Sequence, residues 1–499
     1  MIKKPELKPA DKYNKKLLNN VHPEDWDNPE PVDNYNLVVI GAGTAGLVTA
    51  AGAAGLGAKV ALIERRFMGG DCLNFGCVPS KSLIASARKN KILLHNAESL
   101  GENNFSNAMQ RMREKRARIS SHDSAARFQD KGVDVFLGAG NFTSEKTIEV
   151  DGQTLNFNKA VIATGGRPRK LELPGLKQDD YYTNETIFSL TEKPDRMAII
   201  GAGPIGCELA QTFQNLGVNV TIIQRSSQIL TKEDPDAAEI VYNSLLNDGV
   251  DIELNSELSK LKKDGNNKIL VYERDGKKIK CVVDVILVGI GRVPNIESLD
   301  LEQAGVEYNP SGIKVNDRLQ TSNKKIYAAG DCCMKYKFTH AADAAARIVI
   351  ANALFFGRQK LSDLVIPWCT YMEPEIAHVG LYPKEAKAKG IKIDTYQESF
   401  ENVDRAVTDG EEEGLIKVHT KKGSDNILGA TIVAGNAGDM ISEITTAIVG
   451  DLGLGTLSNV IHPYPTQAEA IKKIADAYNR TRLTPLISKF LKWILKLTG

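Results

Sequence analysis

Two segments of this chain repeat one glycine spacing between a strand and a helix, and that duplication constrains the fold more than any other feature. The first reads NLVVIGAGTAGLVTAAGAAGLGAKVALIERR. It predicts a strand over 37–40, the turn Gly41-x-Gly43-x-x-Gly46, a small-residue helix, a second strand over 60–63, and an acid, Glu64, 23 residues after Gly41. The glycines let backbone approach a pyrophosphate at the helix N-terminus, and the carboxylate accepts from a ribose hydroxyl. The second reads AIIGAGPIGCELAQTFQNLGVNVTIIQRS, with Gly201, Gly203 and Gly206. Two intact sets favour two bound dinucleotides over one dinucleotide and a duplicated fold. The register separates them, because the position matching Glu64 is Gln224, followed by Arg225. A neutral amide and a cation remove repulsion for a 2′-phosphate and supply a partner for it, so NADPH is expected there ahead of NADH.

Close behind the first unit lies GGDCLNFGCVPSK, residues 69–81, with Cys72 and Cys77. In an undistorted helix a five-residue step separates Cα atoms by roughly 8–9 Å, beyond the roughly 7 Å limit for an unstrained disulfide. If these sulfurs join, the backbone between them must bend, and Asn74 and Gly76 tolerate a bend while Pro79 suits the first turn of a restarting helix. So short a loop cross-links almost nothing, which makes redox chemistry the better use of the pair. A low thiol pKa needs nearby positive charge or a helix N-terminus, and the run from Cys77 to Lys81 supplies both.

Composition narrows the class. Net charge is +1, with 63 basic and 62 acidic residues in 499, so nucleic acid is not an expected partner. Seven scattered cysteines do not make a secreted scaffold. The N-terminus lacks an apolar signal core and no apolar run is long enough to span a bilayer, so a cytoplasmic location is expected. Cys332 and Cys333, adjacent after a strand and a Gly-Asp turn, read as small core residues, as do Cys207, Cys281 and Cys369.

The predicted fold is α/β: two Rossmann-like dinucleotide-binding domains and an α+β C-terminal domain. Residues 1–34 read as a polar surface arm, 35–190 with 290–360 as the first dinucleotide domain, 191–289 as the second, and 361–478 as the C-terminal domain. Helix is expected over 83–128, strands over 133–150, 153–157 and 282–288, and a strand running into a glycine turn over 161–169. In the tail over 479–499, Lys489, Lys492 and Lys496 share one helical face and Ile487, Phe490, Leu491, Ile494 and Leu497 the other. Such a helix either lies peripherally on a membrane or docks on its own protein or a partner subunit.

With both fingerprints, the C-x4-C stretch and the strand before Gly330-Asp331 in this order, the chain resembles the flavin-dependent pyridine nucleotide–disulfide oxidoreductases, over roughly residues 35–477. The resemblance implies FAD on Gly41, Gly43, Gly46 and Glu64, with Asp331 on the ribityl or phosphate part and the turns at Thr164, Gly165 and Gly291 in the cofactor-binding set. It implies a Cys72–Cys77 disulfide in which Cys77 faces the flavin as charge-transfer thiolate and Cys72 is the outer interchange thiol. Lys81 would lie near flavin N5 and pair with Glu208. A homodimer is implied, in which one subunit's C-terminal domain completes the other's active site.

The C-terminal landmark departs from the glutathione and lipoamide branches. Where they carry His-Pro-Thr-x-x-Glu, this chain has Tyr464-Pro465-Thr466-Gln467-Ala468-Glu469. A phenol is a poor base at neutral pH, so His462, two residues earlier, is either a substitute base or a packing residue. Tyrosine here is similar to mercuric reductase, although this chain ends in Lys-Leu-Thr-Gly rather than a cysteine pair, and no resident metal is expected. The leading expectation is a mercuric reductase-like NADPH:disulfide oxidoreductase acting on a small-molecule disulfide or a metal ion. The alternatives are dihydrolipoamide dehydrogenase and a membrane-surface electron-transfer protein reducing a quinone or partner.

Overall fold

Both fingerprints fold as their glycines require. Gly41 and Gly201 have φ of +101° and +99°, in the left-handed half of the backbone map where a Cβ is unwelcome. A Cβ on Gly46 would lie 1.7 Å from the Gly41 carbonyl oxygen, and one on Gly206 would lie 2.0 Å from that of Gly201. The helices Thr44–Gly55 and Pro204–Asn215 start at Gly43 and Gly203 with near-identical backbone, φ −78° in each. Among the described residues neither cap has a side-chain hydrogen bond, so the first amides of both helices are available to an anion.

This computed structural model describes residues 5–95, 104–265 and 267–498. The chain divides into two compact units, Met1–Arg225 with Val250–Leu364, and Ser226–Gly249 with Val365–Gly499. In the first unit, strand Tyr35–Ile40 is flanked in parallel by Val60–Glu64 and Gln153–Ile162, and Val133–Leu137 lies outside Val60–Glu64. The C-terminal ends of these strands bring the Gly41 turn, Glu64 and Ala163 to one edge, where a doubly wound sheet binds its ligands. Strand Gln153–Ile162 joins what the sequence reads as two strands. Its first half alternates buried and exposed positions and pairs antiparallel with Thr147–Val150. Its last three residues are buried and pair in parallel with Ile326–Ala328.

The second fingerprint supplies a four-stranded parallel sheet, Asp251–Glu253, Asn219–Ile223, Arg196–Ile200 and Val285–Val288. An antiparallel sheet of Glu257–Asp264, Asn267–Arg274 and Lys277–Val283 sits in the same unit, and the strand expected over 282–288 is broken at Asp284, which accepts from Arg196.

Residues 1–34 do more than a surface arm would. Helix Lys12–Val21 is capped by Asp11 and buries Leu17 and Val21 completely. Arg113 pairs with Asp11 at 2.6 Å, and the buried Arg116 donates to Asn14 Oδ1 and to the Asn74 carbonyl, each at 2.7 Å. The arm is therefore tied through Arg116 to the cysteine segment. The helical reading of 83–128 corresponds to Cys77–His95, Asn104–Ile119 and the short Ala125–Asp130, with 96–103 outside the described residues.

The second unit is built on a five-stranded antiparallel sheet, ordered Trp368–Thr370, Glu375–Gly380, Ile427–Ala434, Leu415–Lys421, Ile393–Ser399. Helices Ala437–Val449 and Glu469–Thr481 pack on it around Ile441, Ile444, Ile471 and Ile474. Residues 226–249 fall inside the 191–289 span read as one dinucleotide domain, yet they cluster with this unit. Buried Glu233 accepts from Trp368 Nε1 at 3.0 Å and from the Tyr382 hydroxyl, and Lys417 pairs with Asp234 and Asp236. Those polar ties are made by side chains that no glycine pattern announces.

Candidate active site

The cysteine segment is two helices with a break between them. Gly70–Phe75 carries Cys72 and Cys77–His95 carries Cys77, and Gly76 between them adopts φ −127°, ψ −112°, neither helix nor strand. Gly70, at φ +57°, lies against the first glycine turn, where an added Cβ would sit 2.5 Å from the Gly43 Cα. The cysteine segment and the first glycine turn thus touch backbone to backbone.

Cys72 and Cys77 are both free thiols with very different proton affinities. Cys77, although exposed, is lowered from 9.0 to about 6, chiefly because Cys72 donates a hydrogen bond to it, with help from Thr339 and the positive charge of Lys81 against desolvation by the surrounding protein. The Cys77 sulfur lies 3.5 Å from Thr339 Oγ1. The Cys72 thiol is pushed up, because it holds the proton in that bond and because it is half-buried. Both shifts point the same way, toward a shared proton on Cys72 and a thiolate on Cys77. Lys81, one helical turn beyond Cys77, donates to Glu208 Oε2 at 2.7 Å from the helix Pro204–Asn215.

Glu64 stands buried at the end of its strand, accepting from the amides of Ala42 and Arg66, both at 2.7 Å, and of Phe67 at 3.2 Å. Burial pushes its carboxyl up while those amides pull it down. A cleft beside it is lined by Gly41, Glu64, Arg65, Gly140, Thr164 and Leu299 among others, and the uncapped helix start next to it is a donor set that fits the pyrophosphate of FAD. At the second fingerprint Gln224 Oε1 accepts from the Ala202 amide at 3.2 Å, reproducing the Glu64–Ala42 contact with a neutral group. Arg225 beside it is exposed.

Thr164, Gly165 and Gly291 belong to one clasp. Strands Gly166–Pro168 and Arg292–Pro294 pair antiparallel, Thr164 Oγ1 donates to the Asn295 carbonyl at 2.5 Å, and Asn295 returns a bond to the Thr164 carbonyl at 2.9 Å. Arg292 leaves this clasp to reach Asp331 and Asp71, each at 3.2 Å. Burial works against its charge, but the two carboxylates hold it above its ordinary value. Asp71 also accepts from Asn184 Nδ2 at 3.0 Å. Arg292, Asp71, Asn184 and Thr339 were missed by sequence reasoning. Asp71 alone carried a signal, its place next to Cys72, and the others come together only through the fold.

The C-terminal landmark lies in the second unit. His462 Nε2 sits 3.0 Å from Glu443 Oε1, and its buried Nδ1 has no hydrogen-bond partner among the described residues. Tyr464 is exposed, and its hydroxyl donates to Asp404 at 2.8 Å, a bond that raises its pKa. Glu469 opens the helix Glu469–Thr481, 3.7 Å from Lys473, with Oε2 buried and unpartnered among the described residues. Glu443 was another residue that the sequence did not single out. Cys332 is buried with its sulfur 3.3 Å from the Ile162 carbonyl, and Cys207 is buried as well.

Two glycine-turn dinucleotide folds, a cysteine pair at a broken helix and a separate α+β domain define a class of flavin-dependent oxidoreductase. The chain belongs to the pyridine nucleotide-disulphide oxidoreductase family: residues 35–346 match the family's main domain and 366–475 its dimerisation domain. The family uses FAD with a pyridine nucleotide. The chain is 34% identical to a mercuric reductase of Staphylococcus aureus over 453 residues, 90% of this chain and 83% of that one. It is also 34% identical to a dihydrolipoyl dehydrogenase of Chlamydia muridarum over 446 residues, 87% and 95% of the two chains. Among solved structures it resembles the HOCl-induced flavoprotein disulfide reductase RclA of Escherichia coli, with TM-score 0.80, 28% identity and coverage of 89% and 99%. A Cu(II) complex of that protein matches with TM-score 0.78 and 26% identity, over 89% and 100%.

Proposed function

We propose that this protein is a homodimeric, NADPH-dependent, mercuric reductase-like enzyme that passes two electrons through the Cys72–Cys77 couple to a disulfide or a soft metal ion. The observation that carries the reading is the cysteine pair at the broken helix, with the Cys77 sulfur 3.5 Å from Thr339 Oγ1 and one helical turn from Lys81, which donates to Glu208 at 2.7 Å. When bound, FAD supplies the two-electron relay between nicotinamide and the cysteine pair. Gln224 and Arg225 select the 2′-phosphate of NADPH. Reduction converts the disulfide into the dithiol pair. Cys72, once its proton leaves, attacks one sulfur of the acceptor disulfide and expels the other as a thiolate, and Cys77 resolves the mixed disulfide. His462, oriented by Glu443, takes the Cys72 proton from the second subunit and returns it to the departing thiolate. The Tyr464 hydroxyl, held by Asp404, is left to contact the acceptor, and the Cu(II) complexes of the related RclA support a metal ion as one such acceptor.

The test is an anaerobic NADPH titration followed by visible absorbance, then challenge with glutathione disulfide, lipoamide, Hg(II), Cu(II) and a quinone. A long-wavelength thiolate band after about two electrons, discharged by a disulfide or a metal ion, absent in Cys77→Ser, and in Cys72→Ser present before any NADPH is added and discharged by no acceptor, is expected. Preference for NAD⁺ with dihydrolipoamide would replace this reading with a dihydrolipoamide dehydrogenase. Flavin bleaching without the band, discharged by quinone alone, would remove the cysteines from the path and favour electron transfer at a membrane surface.

A further inference from the structure

Helix Pro485–Thr498 takes no part in this chemistry and lies beyond the residues 366–475 that match the dimerisation domain. None of its residues is buried, and Leu486, Trp493 and Leu495 are 78%, 56% and 69% exposed. At 3.6 residues per turn, Lys489, Lys492 and Lys496 fall within an arc of about 60°, while Leu486, Trp493, Leu497, Phe490, Ile494, Ile487, Leu491 and Leu495 span roughly 200°. Phe490 and Trp493 stack on one another at 5.9 Å within that apolar arc. From residue 477 onward the sequence holds five Lys or Arg and no Asp or Glu.

An apolar arc of this breadth exceeds the stripe of roughly 100° that a helix usually presents to a protein core, and the cations beside it face no acid on their own helix. A planar medium with acyl chains below and anionic headgroups above matches both features, with the aromatic pair at the boundary. Fourteen residues rise about 21 Å, less than the ~30 Å hydrocarbon core, and among the described residues no helix is long and apolar enough to cross a membrane. We propose that helix Pro485–Thr498 is an in-plane anchor for an anionic lipid bilayer, its apolar arc in the acyl boundary and its three lysines at the headgroups.

The test is co-sedimentation of the full-length holoenzyme with vesicles of phosphatidylcholine alone and of equal parts phosphatidylcholine and phosphatidylglycerol, at low and high salt. Binding to the mixed vesicles should be stronger by on the order of tenfold or more and should weaken with salt. The variants Lys489→Glu/Lys492→Glu/Lys496→Glu and Phe490→Ser/Trp493→Ser should each lower it by a similar factor while NADPH oxidation is unchanged. Equal binding to both vesicles, or none, overturns the proposal. So does a fall in the light-scattering mass of Phe490→Ser/Trp493→Ser without any vesicle binding by the parent, which would seat the helix on a second copy of the chain.

Discussion

Cys72→Ala should return much of the lowered Cys77 proton affinity to ordinary. The largest cause of that lowering, from 9.0 to about 6, is the hydrogen bond from Cys72, and Thr339 and Lys81 act after it. Removing the donor leaves burial, which opposes the thiolate, against two weaker favourable contacts. The Cys77 midpoint should therefore rise by at least about one unit, while Cys72→Ser, which keeps a donor, should raise it less. The rate of alkylation at one pH would be a poor readout. A thiol of pKa 6 is about 90% thiolate at pH 7 and one of pKa 9 about 1%, but the intrinsic reactivity gained over three units restores roughly 15–30-fold of that loss. The assay is thus the midpoint of iodoacetamide alkylation of the reduced protein against pH, with Cys77→Ser as blank. The sign is fixed: reactivity is lost as pH falls through the midpoint, near 6 in the parent and higher in the variant. A midpoint still near 6 in Cys72→Ala would refute the assignment of the shared proton and shift the cause to Lys81 and Thr339.

Gln224→Glu should lower the NADPH-to-NADH ratio of kcat/KM by about tenfold or more, because a carboxylate restores repulsion for the 2′-phosphate; steady-state kinetics with both nucleotides measures it. Gly70→Ala meets Gly43 Cα at 2.5 Å and must hold φ +57°, so it should cost about 1–3 kcal/mol and weaken flavin retention through gel filtration. Leu17→Ala removes a fully buried side chain from the N-terminal helix and should destabilise the protein by about 2–5 kcal/mol, read from urea unfolding; a change near zero would mean the helix is not docked. Glu443→Gln should slow discharge of the reduced enzyme by disulfide about tenfold while leaving flavin reduction by NADPH unchanged, two steps that stopped-flow absorbance separates.

What could be read in the sequence was what local backbone demands. The Gly41 and Gly201 turns, the break at Gly76 and the Gln224 substitution each depend on a few consecutive residues, or on a register that one strand–helix–strand unit preserves. The antiparallel sheet over 257–283 escaped because its outer strands are lysine-rich and largely exposed, and because the middle strand buries Leu270, Val271 and Tyr272 in succession, which breaks the alternation that marks a strand. Helix Lys12–Val21 escaped because its anchor is Arg113 and Arg116, a hundred residues away, and a lysine-rich segment reads as solvated until its acceptors are known.

The same distance hides the charge network around the cysteines. Asp71, Arg292 and Asp331 come from three segments, and only the Gly166–Pro168 and Arg292–Pro294 clasp carries the guanidinium between the two carboxylates. This arrangement gives Arg292 a positioning task. It neutralises a carboxylate adjacent to Cys72, whose uncompensated charge would oppose the Cys72 thiolate on which the proposed exchange depends. The clasp that joins the two turns therefore also sets the charge beside Cys72, and in the proposed mechanism fold closure and nucleophile strength depend on the same arginine.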